Sequence, residues 1–258
     1  MNIRKLTKLY IFLLFIVIIT MVLLWMFIIS RKYTPRDYPQ IENEGVLRIV
    51  TEYNTVGYYV SGDTIEGFQY ELSKAIEKAS GLIVELYLEN DLKKSIDGLN
   101  NQIYDVIARN IPITTENKNY FSFTNPIMLS RQILVQRTAK ANNGTPPIRN
   151  QIELAKKVLH IPLNSPGILR LRNLEEEIAD TIFIKEDPLH SDELLIYQVA
   201  EGDIDYAVVD YEIAAKNKKL LPQIDIQTDI SFTQLQAWAI RKDSPILLDS
   251  LNRWLKNN

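Results

Sequence analysis

From Tyr10 to Ile29 the chain carries no charge, and its only polar side chains there are the hydroxyls of Tyr10 and Thr20. At 1.5 Å per residue a helix of this length reaches about 30 Å, the thickness of a bilayer's hydrocarbon core. A cleavable signal peptide is the competing reading. Its apolar region is usually about 7–15 residues long and ends in a small-x-small site. Here the run is longer and ends in Ile28, Ile29, Ser30, Arg31 and Lys32, and the chain has no cysteine for a lipid anchor. The sequence therefore predicts a short cytoplasmic N-terminus over 1–9, an uncleaved transmembrane anchor over 10–29 and a polar spacer over 30–44. Arg4, Lys5 and Lys8 precede the run and Arg31, Lys32 and Arg36 follow it, so charge alone gives only a slight lean toward a cytoplasmic N-terminus.

Leaving out the three basic residues before residue 31 leaves 26 basic against 32 acidic ones, a net of −6. Such a surface suits neither nucleic acid nor an anionic membrane face. With no cysteine and two histidines, disulfides and thiol chemistry are excluded and a metal site is disfavoured. No motif calls for a cofactor.

After Gly45 the pattern alternates. Val46–Thr51 reads as a strand. Phe68–Ser80 reads as a helix with Leu72, Ala75, Ile76 and Ala79 on one face, stopped by Gly81. Leu82–Leu88 is β-like, Asp91–Asn101 helical, and Tyr104–Ala108 a buried strand. This βαβαβ order predicts a parallel sheet covered by helices. A second unit repeats it with a strand at Val158–Leu163, helices at Pro166–Ile178 and Ser191–Glu201, and a strand at Ile204–Val209. In both units a helix end leads through a turn to an aspartate, Asp105 or Asp205, and then to an apolar strand. Arg131–Thr138 is extended, Gln234–Arg241 is a further strand, and Ile246–Leu255 is an amphipathic helix. If that last pair returns to the first unit, two strands cross between two lobes and form a hinge.

Four passages stand in register over about 200 residues: GVLRIVT from Gly45, GFQYELSKAIEKASG from Gly67, YDVIARNIPITTENKNYFSFTNPIM from Tyr104, and EGDIDYAVVDYEIA from Glu201. Together they resemble the bacterial extracellular solute-binding proteins of the polar amino acid-binding type, in particular the N-terminal regulatory domain of membrane-bound lytic murein transglycosylase F. The resemblance implies an α/β, two-lobed, periplasmic-binding-protein-like (type II) fold with two crossing hinge strands, preceded here by the transmembrane helix. Lobe 1 would span 45–134 and 239–258, and lobe 2 would span 135–238. It also implies a single-pass protein of the inner membrane with its C-terminal domain in the periplasm.

The resemblance carries site residues with it. Glu52 and Tyr53 follow the first strand, with Tyr58 and Tyr59 beyond, where the family stacks aromatic rings on its ligand; turn tyrosines packed on the lobe are the alternative. Phe68 is as readily core as cleft. Arg109 and Asn110 follow a buried strand, where a charged side chain points toward the crevice. The family's carboxylate-clamping arginine falls at Asn117, a departure that removes the bidentate donor. Three readings stay open: Arg109 substitutes, Lys118 does so less well, or the ligand lacks that carboxylate. Asp210 matches the aspartate that pairs with a ligand amino group, against the reading of a helix cap. Ser165 is most simply a cap, although the same N–H groups could hold an anion. His160 reads as structural, and His190 as a turn residue that could reach the cleft.

These features lead to the expectation of a membrane-anchored binding module that closes on a small amino-group-bearing ligand, amino acid-like or derived from peptidoglycan. It would serve as a sensor or regulatory subunit, with a membrane permease or a cell-wall enzyme as partner. The alternative is the solute-binding component of an ABC importer. A small-acid dehydratase is a weaker reading, because Glu52 or Asp210 would need a raised pKa to act as general acid. The transglycosylase's catalytic domain has no counterpart before Asn258, so no glycan cleavage is expected and no catalytic residue is assigned.

Overall fold

The structure, a computed structural model, describes residues 3–30, 35–189 and 191–256. It divides into two units, Met1–Pro35 and Arg36–Asn258.

The first unit holds one helix, α1 (Ile3–Ser30), whose described side chains, 12–26, are all exposed. Among the described residues no helix is long and apolar enough to cross a membrane. The anchor expected over 10–29 therefore gains no support from the structure, because the apolar side chains described are fewer than the ~20 a bilayer core requires. Of the expected N-terminus, 1–9, residues 1 and 2 lie outside the described residues and the remainder is helical from Ile3. Residues 31–34 of the expected spacer and His190 also lie outside them.

The spacer is not all linker. It contains α2 (Tyr38–Glu44), started by a capping box in which Asp37 accepts the Tyr38 N–H at 2.8 Å and Gln40 accepts the Asp37 N–H at 3.1 Å. Gly45, with φ +73°, closes it. Ile41 is fully buried, so this helix belongs to the core.

The chain then runs through β1 (Val46–Thr51), a hairpin of β2 (Tyr59–Ser61) and β3 (Thr64–Glu66), α3 (Phe68–Ser80), β4 (Ile83–Leu88), α4 (Leu92–Asn100) and β5 (Val106–Pro112). After α5 (Asn117–Tyr120) come β6 (Ser122–Phe123) and β7 (Met128–Ser130). A second run follows with β8 (Gln132–Arg137), β9 (Val158–Pro162), α6 (Gly167–Ile178), β10 (Phe183–Asp187), α7 (Asp192–Glu201), β11 (Ala207–Asp210), α8 (Tyr211–Lys218) and β12 (Ile224–Asp229). The chain closes with β13 (Gln234–Ile240) and α9 (Pro245–Lys256).

Two sheets result, ordered β4-β1-β5-β13-β6 and β10-β9-β11-β8-β12, with β7 also on β13. In each, three strands are parallel and the crossing strand, β13 or β8, is antiparallel to its inner neighbour. Both faces of each sheet are covered. In the first, α2, α3 and α9 pack on one side around Trp238 and Ile49, and α4 packs on the other around Leu99 and Ile107. In the second, α7 and α8 lie over Val135 and Val209, and α6 lies over Leu134 and Val208. Burial on both faces explains why these strands are near-continuous apolar runs rather than alternating ones.

The chain changes sheet between Ser130 and Gln132 and again between Asp229 and Gln234. The expected lobe boundaries, 134/135 and 238/239, fall inside β8 and β13. Each crossing strand is tied down at its far end in the same way. Arg241, just past β13, donates to the Leu99 and Tyr104 carbonyls at 3.0 and 2.5 Å and to Asp105 at 3.3 Å. Arg137, at the end of β8, donates to the Val199 and Ile204 carbonyls at 3.2 and 2.9 Å and to Asp205 at 2.5 Å. The two aspartates that mark the internal similarity thus hold equivalent arginines.

Candidate binding cleft

A cavity of about 160 Å³ lies at the carboxyl ends of β1, β5, β9, β10 and β11. Strand ends and helix starts converge at such a crevice in an open α/β sheet. The β5 strand was expected to stop at Ala108, but it continues to Pro112 because β13 pairs with it beyond the parallel segment. Between the pairs Ile107–Ala239 and Ile111–Ala237, residues 108–110 face the single residue Trp238. This bulge turns Arg109 and Asn110 out of the ladder at the cavity wall.

Of the residues expected at the site, Glu52, Tyr53, Arg109, Asn110, Ser165 and Asp210 line the cavity. Tyr58, Tyr59, Phe68 and Asn117 do not. Tyr58 packs edge-on against Tyr70 at 5.8 Å. Tyr59 donates its hydroxyl to Glu66 at 2.9 Å, and the Lys216 ammonium lies 3.8 Å from its ring centre. Phe68 starts α3, is 41 % exposed and lies outside the cavity lining. Asn117 starts α5 and gives its side-chain N–H to the Pro112 carbonyl at 2.9 Å. Lys118 is exposed and does not line the cavity. His160 is buried in the middle of β9, away from the cavity.

Arg109 forms an ion pair with Glu52 and also donates to the Asn90 carbonyl at 3.2 Å. Asn54 locks the same loop, donating to Glu52 at 2.9 Å and accepting the Val56 N–H at 3.0 Å. Ser165 accepts the Gly167 N–H at 3.2 Å, while the α6 N-cap position falls on Pro166, which makes no side-chain cap bond.

Asp210 starts α8, but its carboxylate makes no cap there. Instead it accepts from Ser130 at 2.9 Å, Gln132 at 3.3 Å and Asn110 at 3.5 Å. The Asn110 amide is itself aimed by Gln69 at 3.0 Å, and Gln69 is held by the indole N–H of buried Trp238 at 2.6 Å. Burial pushes the Asp210 carboxyl up to about 7; the Ser130 hydroxyl opposes that shift, Glu52 and Glu212 add repulsion, and Asn110 opposes it. Asp192, whose carboxylate accepts the Asp210 N–H at 3.3 Å, is also raised well above its usual range, by burial and then by the charges of Asp210, Glu52 and Glu193.

Sequence reasoning missed Gln132, Asp187, Asp192, Glu193, Asn90 and Asp91, all in the lining. Asp192 and Glu193 had a signal, since two acids in a helix's first turn read simply as dipole partners. Gln132 had none, because only the strand pairing places it beside Asp210.

The two sheets meet across this cavity. Thr55, in the loop after β1, gives its N–H to Glu193 at 2.7 Å and its hydroxyl to the same oxygen at 3.2 Å. Lys216 donates to the Thr55 carbonyl, and Asn164 donates to Asp91 at 3.1 Å. With the Asn110–Asp210 contact, these bonds join the two sheets across the cavity.

Among curated proteins, the membrane-bound lytic murein transglycosylase F of Desulfosudis oleivorans is 28 % identical over 243 residues, covering 92 % of this chain and 52 % of its own length. That of Aeromonas hydrophila is 29 % identical over 214 residues, covering 81 % and 41 %. The chain thus spans about half the length of the curated relatives it matches. Among solved structures, the arginine-bound form of truncated ArgBP from T. maritima superposes with a TM-score of 0.74 at 20 % identity, covering 85 % of this chain and 99 % of that one. An ancestral amino acid-binding protein, a precursor of cyclohexadienyl dehydratase, superposes at 0.71 with 23 % identity over 85 % and 92 %. These likenesses show a periplasmic-binding-protein-like α/β fold. The description "Bacterial extracellular solute-binding proteins, family 3" matches residues 47–258, and the chain belongs to that family.

Proposed function

We propose that this protein is a binding module whose cleft closes on a small ligand bearing a cationic amino group, held at the end of β11 by Asp210. The observation that carries this reading is the charge of the cavity. Six carboxylates line it, and the one basic side chain among its described lining residues, Arg109, is already paired with Glu52. A cation entering there replaces water with fixed acceptors and offsets the burial, and after it the repulsion, that keep Asp192 and Asp210 raised. Support also comes from solved structures of the same fold whose names record arginine or glutamine as ligand. The pivot of closure in this reading is Arg131 together with 230–233, where the chain changes sheet.

The dehydratase reading gains one point from the raised Asp210 carboxyl, which suits a general acid. The acidic lining opposes it, since a cyclohexadienyl acid would bring its own carboxylates into that field.

A location at the membrane rests on the uncharged run 10–29, and detergent-dependent extraction of the full chain tests it. A sensor or regulatory role is favoured by relatives in which the matched region is about half of a larger protein. Crosslinking of the ligand-loaded chain in cells distinguishes a cell-wall enzyme partner from a permease.

The binding test is calorimetry of the full chain against basic, neutral and acidic amino acids and simple amines. Cationic compounds should bind, and Asp210→Asn should weaken the best of them at least tenfold. If no cation binds, or if Asp210→Asn binds as wild type does, the reading is wrong.

A further inference from the structure

We propose that the ligand of this cleft is a carboxylate-free dication, a diamine or guanidino-amine, rather than a zwitterionic amino acid. The inference rests on the cationic-ligand reading above and narrows it.

A free carboxylate needs a guanidinium or unsatisfied N–H groups, and here the candidates are engaged. The Arg109 guanidinium is shared between Glu52 and the Asn90 carbonyl. Asn117 is turned away onto the Pro112 carbonyl.

The helix starts at α3 and α4 are closed to an anion as well, and those of α7 and α8 carry carboxylates. On α3, the Phe68 and Gln69 N–H groups donate to the Val56 and Gly57 carbonyls at 2.8 and 2.9 Å. The α4 start is capped by Asp91, which accepts the Lys93 N–H at 2.8 Å. At the α6 start the Gly167 N–H is taken by the Ser165 hydroxyl at 3.2 Å. The α7 start carries Asp192 and Glu193 in its own first turn. An anionic ligand group would have to displace a bond already made at α3, α4 and the Gly167 N–H, and would meet two carboxylates at α7.

The opposite holds for cations. Among the described residues, no basic side chain bonds Asp192 or Asp210, whose hydrogen-bond donors are neutral amides, hydroxyls and one backbone N–H. Among the described residues Glu193 receives the Thr55 N–H and hydroxyl and no basic side chain. One ammonium cannot balance this surplus, and a second positive charge on the same small ligand offsets more of it.

The test compares each amino acid with its decarboxylated product on the full chain by calorimetry: arginine with agmatine, lysine with cadaverine, and ornithine with putrescine. Each amine should bind at least tenfold more tightly than its parent. If the amino acids bind as tightly or more tightly, the inference fails while the cationic-ligand reading stands. If none of the six binds, both fail. Glu52→Gln adds a second readout, because it releases Arg109 from its ion pair. The agmatine-over-arginine preference should then fall about tenfold or more, and an unchanged preference would show that Arg109 was never neutralised in the way proposed.

Discussion

Asp210 shows how much a single residue's role depends on partners far away in the chain. Its position after a buried strand and before a helix fits a cap and a ligand contact equally well, and the sequence cannot separate them. In the structure Ser130, Gln132 and Asn110 hold the carboxylate at the cavity wall, and it makes no cap on α8. With its carboxyl at about 7, Asp210 holds a proton in the folded protein that the unfolded chain releases near 4. Between those values the folded state binds more protons, so stability falls as pH rises, by up to about 1.4 kcal/mol per unit for this one group. Thermal melts of the ligand-free chain should show that decline from pH 5 to 7, and Asp210→Asn should make it shallower while leaving the part carried by Asp192. Affinity for a cation should rise across the same window, because binding expels the proton, and calorimetry in buffers of different ionisation enthalpy would read the released proton directly. At Gly67 the backbone sits at φ +130°, and an added Cβ would lie 2.3 Å from the Gly57 carbonyl oxygen. Gly67→Ala should cost on the order of 1–3 kcal/mol in chemical denaturation and loosen the loop that carries Glu52 and Asn54.

At the scale of elements, legibility followed pattern. The helices α3, α4, α7 and α9 have stop residues, caps or apolar faces that local sequence displays, and β1 and β9 are short apolar runs between helices. By contrast, α2 lay in a stretch with two prolines that reads as linker. What makes it a helix is partly tertiary, since Asp37 not only caps it but also accepts the Ile246 and Leu247 N–H groups at 3.2 and 2.7 Å at the start of α9. One carboxylate therefore serves two helix starts, and Asp37→Ala should lose about 1–4 kcal/mol, up to twice the usual price of a cap. A truncation beginning at residue 40 would remove this cap, and its melting temperature should fall below that of one beginning at residue 35. The continuation of β5 past Ala108 was illegible for a similar reason: its polar residues Arg109 and Asn110 end the apolar run, and only β13, more than a hundred residues later, pairs beyond them.

Across the whole molecule, the internal similarity of the two units was visible only as an aspartate before an apolar strand. The structure gives it content through the Asp105–Arg241 and Asp205–Arg137 pairs. Asp105 is fully buried and also meets Arg36 at 2.8 Å, so Arg241→Ala would strand part of a buried charge and should destabilise by about 3–5 kcal/mol. Asp205 is exposed, so its pair should matter far less. Closure offers a separate check. Glu193→Gln weakens the grip on Thr55 without touching either sheet, and X-ray scattering should show a larger radius of gyration in the ligand-free variant than in wild type. The two clasps have a mechanical consequence. In the proposed closure each crossing strand would act as a rod clamped at the end away from the cavity, so rotation of one lobe against the other would not be absorbed by gradual bending along β8 or β13. It must concentrate in the few residues between Ser130 and Gln132 and between Asp229 and Gln234. Stiffening those residues, rather than altering the cavity, is the direct way to slow the opening of the cleft while leaving its chemistry unchanged.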